Sequence, residues 1–193
     1  MINLRIIVAS TRPGRKGPAI ASWIYKLCTA NPLLNTAILD LSEINLPFLD
    51  ETKHPRFQEY ANQHTKNWSK EIENSDAFII VTPEYNHSFP APLKNALDFL
   101  YWEWNYKPIA FVSYGGVAGG ARAVQQLTPV TTALNMMPLS ESVCIPSFTK
   151  YIDDSGNFNA ENGLILSAEA MLAALTKWAE ILPGMRRKKN SIP

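Results

Sequence analysis

Three short stretches of this chain gather the residue types that bind small molecules. "STRPGRKG" (10–17) sets the hydroxyls of Ser10 and Thr11, the cations of Arg12, Arg15 and Lys16, and Gly17 directly before a helical pattern. Unpaired amides and the positive end of a helix dipole favour an anion at such a point. Guanidinium forks match phosphate oxygens. In "PEYNHSFPAP" (83–92), Pro83, Pro90 and Pro92 restrict the backbone. The N–H groups of Glu84, Tyr85, Asn86 and His87 are then free to meet the polar edge of a flat heterocycle, with Tyr85 and Pro83 against its face. "YGGVAGG" (114–120) places four glycines in seven residues, which permits close approach of a ligand. Each stretch also has a plainer reading. The first is a solvated basic turn; in the second Glu84 and Asn86 cap a helix or close a turn; the third is a tight connector. Tyr114 reads equally as a ring-edge contact or a core residue.

The surrounding pattern positions these stretches. "LRIIVAS" is a buried strand feeding the first loop. From Pro18 the apolar spacing turns helical through Ile20, Trp23, Ile24 and Leu27. A second strand (36–41) is followed by "INLPFLDETKHP" and by a helix expected from about Arg56 to Asn74, with Phe57, Tyr60, Ala61, Trp68 and Ile72 inward. "AFIIVT" is the third strand and 92–100 a helix; "PIAFVS" (108–113) is the fourth strand. A helix over 121–134, a weaker strand near 136–143, an irregular stretch over 145–162 and a helix over 164–181 complete the order.

Strands alternating with helices call for parallel pairing. The expected fold is α/β: a doubly wound, five-stranded parallel sheet in the order 2-1-3-4-5 within three layers. Ligands of such sheets bind beyond the carboxyl ends of the strands, at the switch point between the first and third. The three loops then lie side by side. Residues 1–182 read as a single domain and 183–193 as a basic tail, either solvated or in contact with an anion or membrane.

Composition narrows the function. A formal net charge of +1 over 193 residues gives no nucleic-acid signature. No apolar run approaches the ~20 residues a membrane span needs. The N-terminus lacks a signal-peptide pattern, and Cys28 and Cys144 sit in unlike segments, as free thiols in a reducing, cytoplasmic setting would. Cys28 is expected half-buried in its helix. His54, His64 and His87 show no metal-ligand spacing, and no GxSxG elbow is present. The first loop is neither GxGxxG nor GxxxxGK[ST], which disfavours a dinucleotide or nucleoside triphosphate and leaves a single terminal phosphate. An anion socket, a stiff amide-rich loop and a glycine loop together suit a flat ring with one phosphate, such as FMN.

"ASTRPGRKG", "LPFLDE", "TPEYNHSFPAPLKNALDFL" and "SYGGVAGGARA" resemble the NADPH-dependent FMN reductase family of flavodoxin-like quinone, azo and chromate reductases, over nearly the whole chain. The resemblance implies FMN with its phosphate on Ser10, Arg12 and Arg15, its ring against Pro83 to His87, and Ser113, Tyr114, Gly115 and Gly116 on the far side. Where relatives often have another serine, this chain has Arg15 and Lys16. It further implies NADPH or NADH as co-substrate and hydride transfer through FMN N5 to a small acceptor: a quinone, free flavin, azo compound or metal oxyanion. No side chain is nominated as catalytic, because the coenzyme carries that chemistry. Family members are often homodimers or homotetramers, and "DFLYWEWNYKP" reads either as an interface or as core. The alternatives are a flavodoxin-type electron carrier, which the near-neutral charge disfavours, and a non-catalytic flavin-binding sensor.

Overall fold

The computed structural model describes residues 1–186. In chain order the elements are β1 (Ile2–Val8), α1 (Gly17–Thr29), β2 (Leu34–Asp40), α2 (Leu41–Ile44), α3 (Gln63–Glu73), β3 (Ala77–Pro83), α4 (Ala91–Asp98), β4 (Pro108–Tyr114), α5 (Ala121–Ala133), β5 (Met137–Pro138), β6 (Val143–Ile145) and α6 (Asn162–Ile181). The sheet is parallel throughout, in the order β2-β1-β3-β4-β5, with β6 also on β4. The order expected for a doubly wound sheet is the one observed.

Strand alternation divides the core into two halves. Leu4, Ile6, Val8, Ile79, Val81, Ala110 and Val112 face one side, where Ile20, Ile24 and Cys28 of α1 and Met171 and Leu175 of α6 cover them. Ile7, Phe78, Ile80, Ile109 and Phe111 face the other, against α3, α4 and α5 through Trp68, Ile72, Leu93, Leu97 and Leu127. A sheet covered on both faces needs near-continuous apolar strands, which is why β3 and β4 carry almost no polar residue.

Two elements depart from expectation. The helix expected from Arg56 begins only at Gln63. Pro55 instead opens a single 3-10 turn, capped when His54 Nδ1 accepts from Arg56 N at 3.1 Å, and Gln58 ends it with a left-handed φ of 53°. Phe57 and Ala61 are therefore exposed rather than inward, Phe57 by 64%. The weak last strand is split in two. Met137 pairs with Pro108 and Val143 with Val112, so two extra residues must loop out between β5 and β6.

The aromatic segment serves the core at Phe99 and Trp104, both fully buried; the Trp104 ring lies edge-on to Phe78 and Trp68. Glu103 is buried beside them and accepts from Tyr60 Oη at 2.8 Å, Ser69 Oγ at 2.7 Å and Gln58 Nε2 at 3.2 Å. Lys107 donates to the carbonyls of Ile72 (2.6 Å) and Glu73 (3.1 Å), supplying a cation at the C-terminus of α3, while burial pushes its ammonium down to about 7. Of the basic tail, Arg186 pairs with Asp76 at 2.7 Å; residues 187–193 lie outside the described residues. Among the described residues no helix is long and apolar enough to cross a membrane.

The thiols separate sharply. Cys28 is fully buried rather than half-buried, and burial pushes its thiol up to about 12, whereas Cys144 is exposed. A thiolate-selective reagent should label Cys144 in the native protein and Cys28 only after denaturation. Two equivalents of rapid native labelling, counted by absorbance, would contradict this packing.

Candidate functional site

β1, β3 and β4 run parallel and in register, with Val8 beside Val81 and Val81 beside Val112, so their following loops leave from one rim. In the first loop Ser10 is fully buried; its Oγ accepts from Tyr114 Oη at 3.2 Å. Gly17 closes this packing, because a Cβ there would sit 2.5 Å from Ser10 Oγ and 2.9 Å from Tyr114 Oη. Thr11 is partly exposed above them. Arg15 turns back into the fold: Nη1 donates to Ser10 O at 3.1 Å and to both oxygens of Asp40 at 2.8 Å. Arg12 and Lys16 point outward, and among the described residues neither side chain has a hydrogen-bond or ion-pair partner. The amides of Gly17 and Ala19, at the start of α1, likewise meet no acceptor. The loop thus presents two cations and two helix-end amides on a base stapled by Arg15.

The second loop is a two-residue hairpin. Tyr85 and Ser88 exchange backbone hydrogen bonds at 2.9 and 3.0 Å around Asn86 (φ 50°) and His87 (φ 70°). Positive φ at both central positions is the type I′ geometry, which asparagine tolerates better than most residues. Of the four amides expected to be free, Glu84 N is committed to Tyr114 O at 3.3 Å and Tyr85 N to Ser88 O; those of Asn86 and His87 have no acceptor among the described residues. Pro83 is buried at the end of β3, and Tyr85 is 37% exposed. Glu84 turns toward α5, where Oε1 accepts from Arg122 Nε at 2.6 Å and from Nη2, and Oε2 accepts from Arg122 N at 3.2 Å. The Arg122 guanidinium holds the Glu84 carboxyl below the usual carboxylate range.

The third loop returns its glycines largely to packing. Gly120 has φ 87°, and a Cβ would lie 2.7 Å from Ser113 Cβ and 2.8 Å from Tyr114 N. Gly115 is tied by its amide to Ile145 O at 3.3 Å. Gly116 alone of the loop's four glycines faces open space. It lines a cleft of about 560 Å³ together with Glu84, Asn86, His87, Val117 and Arg122. Ser113 and the Tyr114 side chain are buried beneath, and burial pushes the Tyr114 phenol up to about 12. Tyr114 is thus the core residue of its two readings, packed edge-on to Phe148.

The topology brings the three predicted loops together. Two contributors escaped sequence reasoning: Asp40, at the end of β2, and Arg122, in the first turn of α5. Three cations crowded into one short loop, Arg12, Arg15 and Lys16, were the one available signal for the first. Among the described residues no group of three His, Cys, Asp or Glu side chains is arranged to hold a metal ion.

The family profile described as NADPH-dependent FMN reductase matches residues 2–150. The chain belongs to the NADPH-dependent FMN reductase family. It is 32% identical to an NAD(P)H-dependent FMN reductase of Nectria sp over 186 residues, 93% of this chain and 89% of that one. It is 33% identical to a quinone reductase of Pseudomonas putida over 187 residues, 93% and 95% of the two. An NAD(P)H-dependent FMN reductase of Schizosaccharomyces pombe is 42% identical over a shorter stretch, 64% of this chain and 62% of that one. In fold, the chain is similar to the flavoenzyme NAD(P)H:(acceptor) oxidoreductase of Paracoccus denitrificans (TM-score 0.74, 24% identity, 94% and 99% covered). As a member of this family the chain is an oxidoreductase, and FMN and NAD(P)H are its coenzyme and co-substrate.

The residues present fit that coenzyme: unpartnered cations and helix-end amides suit a phosphate, and two unpaired hairpin amides beside a cleft of ordinary ligand size suit a polar ring edge. Gly120→Ala should cost on the order of 2–4 kcal/mol, from a left-handed backbone plus overpacking. Gly116→Ala should stay within about 0.5 kcal/mol. Urea denaturation of the two variants checks this, and equal stabilities would contradict the packing assigned to the loop.

Proposed function

We propose that the chain is a cytoplasmic NAD(P)H-dependent reductase that binds FMN at this rim and passes reducing equivalents to a small acceptor such as a quinone. The observation that carries the reading is the pairing of two kinds of unsatisfied donor on one edge of the sheet. Arg12, Lys16 and the amides of Gly17 and Ala19 lie at the first loop, and those of Asn86 and His87 at the second. Relatives covering nine-tenths of the chain and named FMN reductase or quinone reductase support it.

In this reading Arg12, Lys16 and the start of α1 take the phosphate, with Ser10 and Thr11 shaping its floor. Arg15 acts one step back. Its bond to Ser10 O and its pairing with Asp40 anchor the loop against the repulsion of its own cations. Asn86 and His87 offer amides to the ring edge, Tyr85 an aromatic face, and Gly116 the clearance opposite, with Gly115 holding the loop beneath it. FMN, when bound, supplies hydride exchange with nicotinamide and acceptor. The protein contributes orientation, donors preorganised toward negative charge on the ring, and one open side for the two substrates in turn. No side-chain acid or base is required by this arrangement. A homo-oligomer in which a neighbouring subunit helps to cover the ring belongs to the same reading.

Purified protein supplied with FMN should oxidise NADPH in steady state when a quinone is added. Tight FMN binding with no NADPH consumption would favour the electron-carrier alternative and sink the reductase. Arg12→Ala is expected to weaken FMN binding by about 10- to 100-fold, from the loss of one charge-assisted contact of ~1.5–3 kcal/mol. Unchanged affinity, read from flavin fluorescence, would refute the phosphate assignment.

A further inference from the structure

The Glu84–Arg122 pair is not needed to hold either strand. β3 and β4 are already laddered, and both helices beyond them have their own apolar faces. Yet Glu84 directly precedes the hairpin, Arg122 stands in the first turn of α5, and both line the cleft. Glu84 is a half-buried residue whose side chain, with Arg122 paired to it, is 8% exposed; its carboxylate takes three donors, the two guanidinium nitrogens on Oε1 and the helix amide on Oε2. It therefore also caps α5, whose own N-cap residue, Gly120, has no side chain to offer. The guanidinium is 46% exposed and open to the cleft.

An ordinary surface pair contributes little. Here the carboxylate takes most of its donors from one guanidinium, so losing Arg122 leaves a negative charge held by a single helix amide at the edge of the cleft, two residues from the free amide of Asn86. That charge would oppose whatever negative charge the cleft is built to receive. We infer that Arg122 is a positioning residue for FMN: through Glu84 it clamps the 84–88 hairpin to α5, and by neutralising Glu84 it keeps the cleft receptive to the reduced, more negative form of the coenzyme. This rests on the FMN reading for its electrostatic half, while the clamp itself is a property of the protein without coenzyme.

The test uses Arg122→Gln, Arg122→Lys, and Arg122→Gln combined with Glu84→Gln, with two readouts. In the coenzyme-free protein, Arg122→Gln should speed hydrogen exchange of the Tyr85 and Ser88 amides, which close the hairpin, by about tenfold or more. In the loaded protein it should weaken reduced FMN about tenfold more than oxidised FMN. That corresponds to a midpoint potential about 30 mV more negative for a two-electron couple. Arg122→Lys keeps the charge but loses the fork, so it should recover the potential more fully than the exchange protection. The double variant removes the stranded charge and should also recover the potential. Exchange and potential within twofold and 10 mV of the parent in Arg122→Gln would overturn the inference, as would a double variant whose potential equals that of Arg122→Gln. If the parent itself binds no FMN, the functional reading fails, and the exchange rates still decide the clamp.

Discussion

The site exists because β1, β3 and β4 lie parallel and in register. β3 is buried along its whole length and bonded on both sides, to β1 and β4, so none of the three can slip without turning its apolar side chains toward the wrong layer. Parallel strands deliver their carboxyl ends to the same edge. Three loops distant in sequence, at 9–16, 84–90 and 115–120, are thereby forced into one neighbourhood, and their chemistry becomes a single surface.

The sheet fixes where the loops begin, and two ion pairs together with one hydroxyl pair fix how they stand. Arg15 binds Asp40 at the end of the neighbouring strand; Glu84 binds Arg122 at the start of the next helix; Tyr114 reaches under the third loop to Ser10 of the first. Each joins segments that the ladders leave independent. The consequence is a division of labour among like residues. Of the three cations in the first loop, Arg15 is spent on structure while Arg12 and Lys16 stay available. Of the first four amides in the second, that of Glu84 is held by Tyr114 O and that of Tyr85 closes the turn with Ser88, while the next two have no acceptor among the described residues.

Much of this was legible beforehand. Short β-branched apolar runs such as "AFIIV" admit little besides buried strands, and their alternation with helical spacing leaves few topologies. The glycine and proline stretches mark loops by mechanism rather than by statistics. Other features were hidden for physical reasons. Phe57 and Tyr60 sit at helical spacing with Trp68, but Pro55 and a left-handed Gln58 end the turn before a helix can use them. Which amides of 84–87 are free depended on a type I′ hairpin, which the sequence "YNHS" permits without requiring. Asp40 and Arg122 lie 25 and 38 residues from their partners, a separation only the folded topology closes. The resemblance to FMN reductases supplied the coenzyme; it could not foresee that Arg15 would turn inward.

In the proposed reading, ligand recognition rests on donors left over after folding: two outward cations, two amides at the start of α1 and two at a hairpin tip. Amide NMR spectra recorded while FMN is titrated into the coenzyme-free protein address this most directly. Saturable one-to-one binding is expected, with the largest shifts at Gly17, Ala19, Asn86, His87 and Gly116. Absence of saturation, or shifts concentrated at the opposite edge of the sheet around Asn3, Asn35 and Asp76, would show that these leftover donors are not where the coenzyme binds.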